Sequence, residues 1–204
     1  MSGVIDQGNW GICGFVSVLN ALAQDGKLMA YYNVNMQQMQ QRLGPELVGY
    51  LRLRSVDRPD IIERILTFTK SFGAKYDYGT AANLITKIEQ SVRAGTVITD
   101  ASVGVAMPPE ALADYFEVVF NLKAKVTSYM YIKSGSLSEL YQLKGCVVGL
   151  GGPDRTQPFF NLRHWVYVDK AGTLYNWNAK TNLSGGGAAL VSNTLTHIVY
   201  TVQV

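Results

Sequence analysis

The sequence predicts an α+β fold in a single domain, with a mainly helical part over about residues 1–122 and a β-rich part over about 123–204. Three observations point there. Apolar residues recur at i, i+3, i+4 and i+7 through much of the first part, the period of helices packed on one face. From Lys123 the pattern shifts to period two, with β-branched and aromatic residues. The chain has 204 residues, 48% of them apolar and only 16% charged, which is enough for one sizeable core and too apolar for a disordered chain.

The first helix is expected from Cys13, where a turn carrying Gly8 and Gly11 gives way to the stripe Phe15, Val18, Leu19 and Leu22. It should stop at Gln24-Asp25-Gly26, with Gly26 left-handed. Residues 33–43 place Met36, Met39 and Leu43 on one stripe. This predicts a short surface helix ending before Gly44-Pro45, with an irregular stretch from Leu47 to Val56. Pro59 suits a first helical position, and Ile61, Ile65, Phe68 and Phe72 carry a helix to Gly73. A connection holding Tyr76 and Tyr78 leads to a helix from about Ala81 to Arg93, with Leu84, Ile85, Ile88 and Val92 inward. Residues 96–105 form a strand or an extended connector. Pro108-Pro109-Glu110 then opens a helix bearing Leu112, Tyr115, Phe116 and Val119.

In the second part, Val126 to Ile132 reads as a strand, and Ser136 with Glu139 forms a capping box opening a short helix to Lys144. Gly145 to Leu150 is a buried strand, followed by a polar, proline-containing loop through Arg163. His164 to Asp169 and Thr173 to Asn178 are strands joined by Lys170-Ala171-Gly172. Gly185 to Gly187 sits in a mobile loop, and Thr196 to Val204 is the last strand. The first helix should pack on this sheet.

A net charge of +3 gives no basic patch, and Arg52, Arg54 and Arg58 are the densest cluster. Zinc-type Cys/His spacing, a phosphate-cradling glycine loop and aromatic-basic alternation are all missing, so no metal, cofactor or nucleic-acid partner is expected. The N-terminus lacks a signal peptide's basic start and apolar stretch, and no run approaches the length of a membrane span. The expectation is a soluble protein. Cys13 and Cys146 read as free thiols, which fits folding in a reducing cytoplasm.

The chemistry converges on Cys13. A cysteine in the first turn of a helix sees unpaired N–H groups and the positive end of the dipole, and both favour the nucleophilic thiolate. Gln7, six residues earlier, is a neutral donor able to stabilise an oxyanion without competing for the proton. The base must be His164 or His197. His164 is preferred, because it starts a strand just after a polar loop, whereas His197 lies inside the terminal strand. Pairing Asp169 with Thr173 across the three-residue loop sets His164 opposite Asn178, with Asn176 on the same face. Either amide could hold the imidazole in the productive tautomer. Trp165 and Trp177 read as core or wall residues.

The run Q-G-x-x-G-x-C-G-x-x-S from Gln7 to Ser17 resembles the active-site segment of papain-like cysteine peptidases, in which a glutamine lies six positions before the nucleophile. One departure stands out: papain has a tryptophan after the cysteine, where this chain has Gly14. Gly or Ala there is usual in bacterial relatives such as bacteriocin-processing and staphopain-like peptidases. The third residue is Asn in papain and often Asp after a Tyr-x-x step in the bacterial enzymes. Tyr175-Asn176-Trp177-Asn178 matches that step, which favours Asn178.

The resemblance implies a papain-like fold and a thioester acyl-enzyme formed on a protein or peptide substrate. A nucleophile so near residue 1 suggests a domain cut from a longer protein. Delivery by a specialised secretion system into a target cell, as a toxin or effector with a cognate inhibitor, would suit the pattern. A peptidoglycan amidase or endopeptidase with a similar site is an alternative, although Asp-Cys-Ser is usual there. A transglutaminase-type acyltransferase is disfavoured by Gln7 and the order of the halves. A binding module that has lost catalysis is disfavoured by the retained polar positions.

Overall fold

The computed structural model describes residues 4–26, 36–95 and 100–203. Strands β1 (Lys125–Ser134), β2 (Cys146–Gly151), β3 (Leu162–Val168), β4 (Thr173–Asn176), β5 (Ala179–Asn182) and β6 (His197–Gln203) form one antiparallel sheet in the order β1-β6-β2-β3-β4-β5. Helices α1 (Cys13–Gln24), α2 (Met36–Asp57), α3 (Pro59–Lys70), α4 (Ala81–Arg93) and α5 (Pro109–Phe120) precede it, and the short α6 (Leu137–Tyr141) lies between β1 and β2. The architecture is α+β, as the change of period at Lys123 predicts.

The central strands β2 and β3 are buried on both faces because the sheet serves two cores. One face sends Val147, Trp165, Tyr167 and Tyr175 into the main core with the helices. The other sends Val148, Leu150, Val166, Val168 and Leu174 into a smaller core closed by Leu140 of α6. β2 and β3 therefore read as nearly continuous apolar runs. α1 packs on β3 with Phe15, Val18, Leu19 and Leu22 fully buried. It ends where expected, with Gly26 at φ 72°.

α2 departs from expectation. It is one helix of 22 residues running straight through Gly44-Pro45. Leu43, Leu47, Tyr50, Leu51 and Arg54 are all buried, so one continuous stripe carries the helix across the proline. Proline removes one backbone bond at a cost of about 3 kcal/mol, which this burial offsets. Gly44 is needed for a different reason than stopping the helix. A Cβ there would sit 2.4 Å from Val92 Cγ2 of α4. The side chains of Met36 and Met39, and the first residues of the expected helix at 33–35, lie outside the described residues, as do 96–99 of the expected connector.

Smaller differences follow from local chemistry. α6 stops at Tyr141 rather than Lys144. Only half of its capping box forms: Ser136 accepts from the Glu139 N–H, while the Ser136 N–H donates to Ser134 Oγ. Val119 is exposed. Among the described residues no helix is long and apolar enough to cross a membrane.

A buried ion pair joins α2 to α5. Arg54 donates through Nε and Nη2 to both oxygens of Asp114, at 2.7 and 3.0 Å, and the Tyr50 hydroxyl donates to Oδ2 at 2.8 Å. Removing the carboxylate leaves the buried Arg54 Nε and Nη2 unpaired, with only the exposed Asp57, 2.6 Å from Nη1, as partner. Asp114→Ala should therefore cost about 3–5 kcal/mol, read as a lower urea midpoint at unchanged slope. An unshifted midpoint would mean that the pair does not join the helices.

Candidate active site

The first turn of α1 presents Cys13 to β3. Ile12, at the N-cap, offers no side-chain oxygen, and no acidic residue lies in the first turn. The helix N–H groups are thus left for another anion. Gly14 lets the turn come close, since a Cβ there would lie 3.0 Å from Trp165 Cδ1 and 3.2 Å from both Leu112 Cδ1 and Met107 Cβ. Trp165 is itself pinned by its Nε1–H donating to the Met107 carbonyl at 3.0 Å. The residue that departs from the papain sequence therefore has a packing role here.

The segment carrying Gln7 is tied down from both sides. Buried Asn20 accepts from the Ile5 N–H at 2.9 Å and donates to the Ile5 carbonyl at 3.1 Å. Asp6 caps the following turn at the Gly8 N–H. Gly11 then pairs with the connector before α5, through bonds to Val103 and Val105 at 2.9 Å. Gln7 lines the same cleft as Cys13 and His164.

β3 and β4 pair at Tyr167–Tyr175 and Val168–Leu174, which is the register that the Asp169–Thr173 loop predicts. Asn178 nevertheless does not reach His164. β4 ends at Asn176, which already pairs with Ala179 of β5, so Trp177 and Asn178 form a two-residue turn and Asn178 is exposed. Asn176, on the same face, takes the place: His164 Nε2 lies 2.7 Å from Asn176 Oδ1. An amide oxygen can only accept, so Nε2 carries the proton and Nδ1 is left for the thiol.

Trp177 covers this bond. Its ring stacks on His164 with centroids 4.8 Å apart and planes 25° apart, and its backbone adopts φ 47°. Such a φ is costly for a bulky residue and persists where the surroundings enforce it.

Cys13 and His164 titrate as a pair. Burial would raise the Cys13 thiol, but the charge of His164, its hydrogen bond and the N–H groups of Trp165 and Gly14 together bring it below its usual value. Burial would lower His164, and the Cys13 thiolate, its hydrogen bond and Asn176 raise it instead. Both shifts favour a thiolate–imidazolium pair. Cys146, buried without such partners, is pushed up. His197 stands apart from the site, with Nδ1 2.7 Å from Thr196 Oγ1.

The cleft measures about 160 Å³, with Phe68, Phe72 and Leu162 among its walls. That is below the roughly 300–1,000 Å³ of sites that enclose drug-sized ligands, and suits a group the size of one side chain. Among the described residues no group of three His, Cys, Asp or Glu side chains could hold a metal ion.

The structure thus brings Gln7, Cys13 and His164 together and leaves Asn178 out. Sequence reasoning missed Asn20, whose signal was a lone amide inside an otherwise apolar helix. It placed Trp165 and Trp177 as core or wall: Trp165 is both buried in the core and part of the cleft lining, while Trp177 lies outside the lining, half exposed and stacked on His164. No family model, curated protein or solved structure matches the chain.

Two expectations follow from the geometry. The thiolate should persist as pH falls below the ordinary thiol range and be lost only when pH falls through the lowered value. Iodoacetamide should therefore label Cys13 at pH 6 well before Cys146, as mapped by peptide mass spectrometry. Labelling of Cys146 first would contradict the pairing. Asn176→Ala should lower the Cys13 labelling rate at pH 6, because it frees the imidazole to turn, whereas Asn178→Ala should leave the rate within twofold, as usual for surface changes worth about 0.5 kcal/mol. The reverse ranking would reassign the third residue.

Proposed function

We propose that the chain is a papain-like cysteine peptidase acting on protein or peptide substrates. The observation that carries this reading is the relay from Cys13 to His164 to Asn176, at the open end of a cleft that Gln7 also lines. In this scheme the Cys13 thiolate attacks the scissile carbonyl carbon, and the C=O electron pair moves to oxygen. Gln7 and the helix N–H groups stabilise that oxyanion. The intermediate collapses to a thioester, with the C–N bond breaking as His164 Nδ1 gives its proton to the leaving amine. Water then attacks the thioester while His164 takes its proton, releasing the carboxylic acid and restoring the thiolate.

Asn176 holds the ring through both steps, and Trp177 keeps water off the bond between them. Because the imidazolium is raised and the thiolate lowered, turnover should fall on the acid side as the thiolate gains a proton and on the alkaline side as the imidazolium loses one.

The test is to incubate wild type and variants with a cell lysate and map new protein termini. Wild type should generate new termini, and Cys13→Ala none. Gln7→Ala should lower turnover of a cleaved peptide by about 10²–10³, with alkylation of Cys13 intact. Termini that persist in Cys13→Ala would rule out the thiol mechanism, and wild-type turnover in Gln7→Ala would leave Gln7 a structural residue.

A further inference from the structure

We propose that Arg163 selects substrates with an acidic side chain, glutamate above all, in the cleft beside the scissile bond; this rests on the peptidase reading. Among the described residues of the cleft wall Arg163 is the one lysine or arginine, the His164 imidazolium being committed to Cys13, and none is a carboxylate. Its guanidinium lies over the Phe72 ring, 5.6 Å from the centroid, and Nε donates to Asn161 Oδ1 at 2.8 Å. Those two contacts anchor the group and use only one of its donors. The Nη1/Nη2 edge faces no carboxylate within 4 Å among the described residues.

Three other surface arginines are treated differently. Arg52, Arg58 and Arg64 each have an acidic partner at 2.5–2.8 Å, in Glu89, Asp60 and Glu110. A guanidinium held over an aromatic ring, with its end open, is preorganised for a planar carboxylate. The loop supports that placement. Phe159, Phe160 and Asn161 all have positive φ, between 52° and 59°. Phe159 packs on Phe68 at 4.5 Å and Phe160 stacks on Tyr200 at 5.7 Å, so the turn that presents Asn161 is gripped on both sides. The walls of Phe68, Phe72 and Leu162 would take the two methylenes of a glutamate while its carboxylate meets Arg163. Aspartate is shorter, and a lysine in the same place would meet a like charge.

The experiment compares peptides that differ only in Glu against the isosteric Gln at each of the positions flanking the cleaved bond, for wild type, Arg163→Gln and Arg163→Glu. Wild type should favour Glu at one position by about five- to thirtyfold in kcat/KM, between the worth of an exposed ion pair and a charge-assisted hydrogen bond. Arg163→Gln should abolish that preference, and Arg163→Glu should shift it to Lys. Equal turnover of Glu and Gln peptides by wild type, or a preference that survives Arg163→Gln, overturns the proposal.

A second measurement needs no cleavage: the rate of Cys13 alkylation by anionic iodoacetate relative to neutral iodoacetamide. Arg163→Gln should lower that ratio about two- to fivefold. An unchanged ratio overturns the proposal whether or not peptides are cut. A lowered ratio in a protein that cuts no peptide would instead sink the peptidase reading, and the substrate preference with it.

Discussion

The close approach of α1 to β3 at Gly14 sets the distance between the two halves of the candidate site. Cys13 comes near His164 because the helix's first turn carries no side chain between itself and Trp165. Trp165 in turn cannot retreat, since its indole is bonded to the Met107 carbonyl and buried in the main core. The outer edge of β3 is open at this point, because β4 pairs with it only at Tyr167 and Val168. The Trp165 N–H is therefore available to the sulfur. One glycine, one buried indole and an early end to strand pairing together make the space for the reacting atoms.

That space has an electrostatic cost, and the pair exists because the cost is shared. Both Cys13 and His164 are displaced from water, which alone would favour a neutral thiol and a neutral imidazole. Their mutual attraction reverses both tendencies, and the added N–H donors act only on the thiolate. Cys146 provides the contrast within the same chain: burial without a cation leaves it a thiol. The opposite directions of the two thiols thus follow from their neighbours: Cys13 has a cation and N–H donors beside it, and Cys146 has neither.

Much of this was legible in the sequence, and the failures have identifiable causes. The α1 stripe, the Pro59 and Pro109 helix starts and the change of period at Lys123 are local signals, and all appear in the fold. The hairpin register was also local, since Asp169 and its three-residue loop determine it. The length of β4 was not. It ends at Asn176 because Trp177 takes a left-handed conformation that its residue type disfavours, and only stacking on His164 makes that worthwhile. The passage of α2 through Gly44-Pro45 was hidden for a similar reason. Arg54 and Tyr50 belong to its buried stripe only because Asp114, sixty residues away in sequence from Arg54, meets them there.

Asn20 shows the same dependence from the other side of the site. Its side chain satisfies both backbone groups of Ile5, so the segment leading to Gln7 is fixed to the very helix that carries Cys13. Gln7 and Cys13 are thereby mounted on one unit, while His164 and Asn176 are mounted on another, the β3–β4 hairpin. The Gly14–Trp165 contact, the Trp165 N–H to the Cys13 sulfur and the Cys13–His164 pair join the two at the site. A change that loosens the packing without touching a polar group should therefore separate thiol from imidazole and raise the thiol toward its ordinary range, while leaving each half internally intact. Reactivity at Cys13 is for that reason a property of the interface between helix and sheet, and the residues that set it are found among the core as much as in the cleft.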